Sequence, residues 1–141
     1  MKLNAKVKGK INLKNNAMIK QIAIQSLVET ADALKSDLQT SETMPFGNDT
    51  TEYAKKIGYE AGSLQNRSTF VDDSKKNSGK VSIISDTPYA RRMYMHPEYK
   101  FYKGHNKNAG GEWFGPYING NKKDFAKKKF AKITKGKLKW H

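Results

Sequence analysis

A chain of 141 residues, 36% hydrophobic and 11% aromatic, has apolar material for one core, so a single domain over 1–141 is the expectation. It has no cysteine, which excludes disulfide frameworks, Cys-based zinc sites and thiol catalysis. The net charge is +14 and uneven: residues 1–71 carry ten Lys/Arg against seven Asp/Glu, and residues 72–141 carry seventeen against six.

Residues 2–11 open with Leu3, Ala5 and Val7 alternating with polar residues, the pattern of a short half-buried strand that Gly9 ends. Asn16 is placed to cap a helix over residues 17–38. At about 100° per residue, Ala17, Ile24, Leu27, Val28, Ala31, Leu34 and Leu38 share one stripe, which predicts the core face. Met18, Ile19 and Ile22 fall off that stripe, and two readings stand: a locally thicker core, or a contact with a neighbouring subunit. Residues 40–62 are polar and broken by Pro45, Gly47, Gly58 and Gly62, so they read as a loop with one helical piece at 51–57. Residues 63–72 place Leu64, Ser68 and Phe70 on one side of a strand, and residues 80–85 form the next. The polar stretch between them predicts a hairpin with a long, mobile tip. Residues 89–94 fit a helical turn or a further strand, and residues 99–102 read as extended. Residues 103–121 read as a loop that Trp113, Phe114 and Tyr117 pin to the body. A last helix over 122–134 is expected to bury Phe125, Ala126, Phe130 and Ile133 and to turn Lys127, Lys128, Lys132 and Lys135 outward, with a mobile tail at 136–141.

Candidate chemistry is sparse. His96, His105 and His141 form no metal-holding spacing, and each reads as structural or surface. His96 and Glu98 are the nearest acid–base pair, and Asp72 and Asp73 point apart on a strand. Gly110, Gly111 and Gly115 match no phosphate-loop or dinucleotide pattern. These residues predict no enzyme and no cofactor or metal. No run is apolar enough to span a bilayer and the start lacks a signal's apolar region, so a soluble chain with no membrane partner is expected. The charge is nearly all lysine, which suits diffuse attraction to phosphate or an acidic surface better than base reading by arginine. An AT-rich coding sequence enriches lysine and asparagine as well. Basic residues interleaved with aromatics leave open a small nucleic-acid-binding protein or nuclease.

The run 85–94, with Pro88, Tyr89 and Ala90, resembles the Pro-Tyr-Ala element of tailed-phage minor capsid and tail-completion proteins. His96-Pro97-Glu98-Tyr99, then His105 and Asn106, then Trp113 and Phe114, then a Lys/Phe helix follow in an order similar to the minor capsid branch of siphophages of low-GC Gram-positive bacteria. Upstream, Gly62, Leu64 and Ser68 are similar to the strand start of the wider head–tail joining family. The sequence departs from that family at Tyr94-Met95-His96-Pro97, where Tyr-Ala-x-x-x-Glu-x-Gly is usual. The resemblance implies an α+β fold, with a long N-terminal helix on a small antiparallel sheet and a basic C-terminal helix. It implies a non-enzymatic virion protein that forms a homo-oligomeric ring at the capsid–tail junction, assembled in the host cytoplasm. Its implied partners are a head-closure or connector protein and the tail tube or tail terminator. Met18, Ile19 and Ile22 are then interface candidates, loops 72–80 and 103–121 order on contact with neighbouring rings, and Lys127, Lys128, Lys132 and Lys135 are candidates for nonspecific contact with packaged DNA.

Overall fold

The structure is a computed structural model that describes residues 2–8, 17–47, 51–57, 61–87 and 89–139. Asn16, Gly9, Pro88 and His141, and the side chains of Leu3, Ala5 and Val7, lie outside what is described. The element order is β1 (Lys2–Lys8), α1 (Ala17–Thr40), α2 (Glu52–Ile57), α3 (Ser63–Asn66), β2 (Thr69–Asp72), a 3-10 turn (Lys76–Ser78), β3 (Lys80–Asp86), α4 (Ala90–Met95), α5 (Gly115–Ile118) and α6 (Phe125–Leu138). The described strands make a three-stranded sheet in the order β1-β3-β2. β2 and β3 are an antiparallel hairpin, with the Asp86 N–H donating to the Ser68 carbonyl at 2.7 Å. The class is α+β, with a long N-terminal helix and a C-terminal helix as expected. Among the described residues no helix is long and apolar enough to cross a membrane.

The chain divides into two compact units of interleaved segments. The first holds Met1–Leu3, Asp37–Phe70 and Ile84–Phe114, and the second holds Asn4–Ser36, Val71–Ile83 and Gly115–His141. In the second unit, Leu27 and Ala31 of α1 cluster with Val81 of β3, and Val28, Val71 and Phe130 pack against them. That cluster puts α1 on the sheet and brings α6 to the same core. In the first unit Leu38, Met44, Leu64, Ile84, Ala90, Ala109, Trp113 and Phe114 are buried.

The buried face of α1 is wider than its apolar stripe, and it is shifted. Ile22, Ser26 and Thr30 form an additional buried column, while Ala17 is exposed and Val28 only half-buried. Serine and threonine are tolerated there because each hydroxyl donates to the carbonyl one turn back, Ser26 to Ile22 at 2.7 Å and Thr30 to Ser26 at 2.6 Å. A hydroxyl satisfied this way can enter a core without the cost of an unpaired polar group.

Three further elements differ from expectation. The strand expected over 63–72 starts as the helical turn α3, and only Thr69–Asp72 is extended. Its register is also inverted: Thr69 is buried and Phe70 is 36% exposed. Thr69 turns inward because its hydroxyl has acceptors there, described below. The hairpin tip is a hydrogen-bonded turn: the Ser74 N–H donates to Asp72 Oδ1 at 3.0 Å, and Gly79 closes the 3-10 turn at φ 76. α6 begins three residues later than expected and continues to Leu138, so residues 136–138 are helix where a mobile tail was expected. None of its side chains is fully buried; Phe125, Ala126, Phe130 and Ile133 are half-buried.

Candidate functional site

The resemblance residues from Gly62 to Phe114 fall, where described, in the first unit, and the Lys/Phe helix that follows them falls in the second. Gly62 precedes α3 at φ 81, a left-handed conformation that favours glycine. Leu64 and Ala90 are buried, as are Trp113 and Phe114. Tyr94 meets Trp113 edge-on at 4.8 Å between ring centroids and Phe114 at 5.8 Å. Burial pushes the Tyr94 hydroxyl above the ordinary tyrosine range, and Glu112 adds to the shift.

Asn106 is the polar centre of this unit. It is 2% exposed, and its amide donates to the Met44 carbonyl at 2.8 Å and to Gln65 Oε1 at 2.6 Å. Gln39 in turn donates to the Gln65 carbonyl at 2.7 Å. The backbone beside Asn106 is tied down too: Asn108 N–H donates to the Glu42 carbonyl at 3.1 Å and Gly110 N–H to Thr43 at 3.2 Å. The part of the 103–121 loop expected to order only on contact is therefore hydrogen-bonded within its own unit.

A second buried chain runs through hydroxyls. The Trp113 indole N–H donates to Ser85 Oγ at 3.3 Å, and Ser85 and Thr69 hydroxyls are 2.9 Å apart. Thr69 spends its proton on the Leu64 carbonyl at 2.7 Å, so Ser85 must donate to Thr69. The chain thus has a fixed direction, from indole to serine to threonine to carbonyl. Thr69, Ser85 and Gln65 are the residues that sequence reasoning missed. They are short polar side chains whose role shows only once their partners are in place.

His105 and Tyr89 are the surface members of the resemblance. The His105 ring stacks on Phe46 at 3.6 Å and its Nδ1 lies 3.1 Å from Asn106 Oδ1. Tyr89 lines a surface pocket with Pro45, Phe46, Leu64, Met93, Lys100 and Tyr102. Among the described residues neither a carboxylate nor an imidazole lines that pocket; its titratable groups are Lys100, Tyr89 and Tyr102. His96 does donate to Glu98 at 2.7 Å, which holds the Glu98 carboxyl below the usual range, but both side chains are exposed. Among the described residues no group of three or more His, Asp or Glu could hold a metal ion.

The interface candidates on α1 separate. Met18 is 47% and Ile19 49% exposed, while Ile22 is 5% exposed and belongs to the core. Ile22 is therefore corrected from a candidate contact to a packing residue, because it heads the buried column that Ser26 and Thr30 continue. The exposed apolar patch at the start of α1 is Met18 and Ile19. On α6, Lys127, Lys128, Lys132 and Lys135 are all exposed, as expected. Comparison with family models, curated proteins and solved structures finds no match for this chain.

Proposed function

We propose that this chain is a structural virion protein of a tailed bacteriophage, forming a ring at the capsid–tail junction between a head-closure ring and the tail tube or terminator. In this reading it is not an enzyme and acts by assembly. One observation carries the reading. Leu64, Ala90, Asn106, Trp113 and Phe114, spread along the sequence in the order of the resemblance, are all buried within one compact unit. A motif of that kind encodes an architecture, as a shared assembly fold would require, rather than a reaction centre. Met18 and Ile19 give such a subunit an apolar patch that a neighbour would cover.

The test is removal of this chain from the phage whose genome encodes it. The expected result is filled heads and separate tails in the lysate, with joining restored when the purified chain is added. Cryo-electron microscopy of intact particles should then place it at the junction. Normal particles in its absence, or density for it elsewhere, would refute the reading.

A further inference from the structure

Folding segregates charge somewhat more sharply than the sequence halves do. The second unit contains eighteen basic residues against five acidic, a net of +13, and the first contains nine against eight, a net of +1. All three arginines (Arg67, Arg91 and Arg92) lie in the first unit, so every basic side chain of the second is lysine. The densest part is α6 with the residues before it: residues 115–141 hold nine lysines and one acid, Asp124.

Along α6 and its C-terminal cap, Lys139, the lysines are ordered. At about 100° per residue, Lys128, Lys132, Lys135 and Lys139 fall within an arc of roughly 60°. That arc lies opposite Ala126, Phe130 and Ile133, the half-buried side of the helix. All four are exposed, and among the described residues none of them meets a carboxylate. Lys127 sits about 100° round from Lys128 and flanks this row. Lys137 lies on the inward side and pairs with Glu29 at 3.1 Å. The row spans about 16 Å of helix at 1.5 Å per residue. Its members are neighbours at three- and four-residue spacing, where like charges destabilise a helix by about 0.2–0.5 kcal/mol per pair.

We propose that this lysine row is a binding surface for the sugar–phosphate backbone of duplex DNA, engaged without regard to sequence. Charge complementarity identifies a polyanion. Lysine suits phosphate and acidic surfaces alike, and DNA is favoured over an acidic protein because docked protein interfaces are depleted in lysine and enriched in arginine. Compact, flexible ammonium groups suit a partner whose charges recur at every phosphate and whose position along the row is not fixed. The inward packing of Phe130 leaves α6 without an apolar face to insert into a lipid surface. The inference stands apart from the neck reading, since the purified chain meets DNA whether or not it enters a particle.

The test is fluorescence anisotropy of the full chain with a short labelled duplex, titrated between about 50 and 200 mM salt. Four phosphate contacts predict a fall in affinity on the order of 100-fold over that range. Lys128→Gln, Lys132→Gln, Lys135→Gln and Lys139→Gln combined keep good helix formers in α6 and should flatten the log–log salt slope by about 3–4. A control removes equal charge from the first unit, with Lys55, Lys56, Lys103 and Lys107 changed to Gln. The control should keep most of the slope, and circular dichroism should show native helix content in both variants. The proposal is overturned if the two variants weaken binding equally, if no salt-dependent binding occurs, or if polyglutamate competes as well as DNA of equal charge. None of these outcomes bears on whether the chain occupies a phage neck.

Discussion

Asn106 shows how a single polar residue can organise a core. Its two amide hydrogens are both used, one on a backbone carbonyl and one on Gln65, which is itself held by Gln39. Removing the amide strands two acceptors on buried residues, whereas the bonds themselves contribute modestly. Asn106→Ala should therefore destabilise the chain by about 2–4 kcal/mol, the cost of unpaired acceptors plus a small cavity. Asn106→Asp is the sharper variant, because a carboxylate would face the Met44 carbonyl and Gln65 Oε1 with no proton to give. Urea denaturation checks both, and a loss below about 0.5 kcal/mol for either would mean that the loop is held by its backbone bonds alone. Gly111 restricts the same loop differently: a Cβ there would lie 2.8 Å from the Met93 carbonyl and 2.9 Å from that of Tyr94, so the chain can pass the end of α4 only as glycine.

At the scale of elements, what the sequence made legible depended on which groups carried the signal. α1, β3 and the hairpin were readable because branched and long aliphatic residues repeat at the helical or strand period. β2 was misread in length and register because Phe70 looks like a core residue and Thr69 does not. The burial of Thr69 rests on a hydroxyl chain to Ser85 and Leu64, which are distant or backbone partners that no local pattern reveals. The polar centre at Asn106 was hidden for the same reason: Asn106 was singled out only by resemblance, and Gln65 not at all. The end of α6 was missed because Gly136 and a lysine run resemble a frayed tail, yet the helix passes through both to Leu138. α1 supplies the cleanest test of burial against exposure. Ile22→Asp places an unpaired carboxylate in the core and should cost roughly 3–5 kcal/mol. Ile19→Asp lies in the first turn, where a negative charge meets the positive end of the helix dipole, and should change stability by less than about 0.5 kcal/mol. Thermal melts of the two purified variants check this directly. A folded Ile22→Asp as stable as wild type would remove Ile22 from the core. Only Ile19→Asp is then suited to testing assembly, since combining it with a change at Ile22 would confound unfolding with failure to incorporate.

At the scale of the whole molecule, the two units share elements rather than a linker. β1 divides after Leu3, α1 gives residues up to Ser36 to one unit and continues from Asp37 in the other, β2 divides after Phe70, and β3 divides after Ile83. Neither unit can melt without cutting one helix and three strands in mid-element, which exposes unpaired backbone groups on both sides of each cut. The physical expectation is one cooperative unfolding transition. Trp113 reports the first unit by fluorescence once Trp140 is replaced with Phe, and far-UV circular dichroism reports chiefly α1 and α6. Leu27→Ala, made in the core of the second unit, should cost about 2–5 kcal/mol and move both signals by the same amount. The same coupling makes DNA a reporter: saturating duplex bound to the second unit should raise the Trp113 midpoint as well, by about 2.7 kcal/mol of stability at one hundred times its dissociation constant. If Leu27→Ala shifts the dichroism transition and leaves Trp113 where it was, the units are thermodynamically separate despite their shared elements. If both move together, ligation of the lysine-rich unit stabilises the near-neutral unit through the elements that they share.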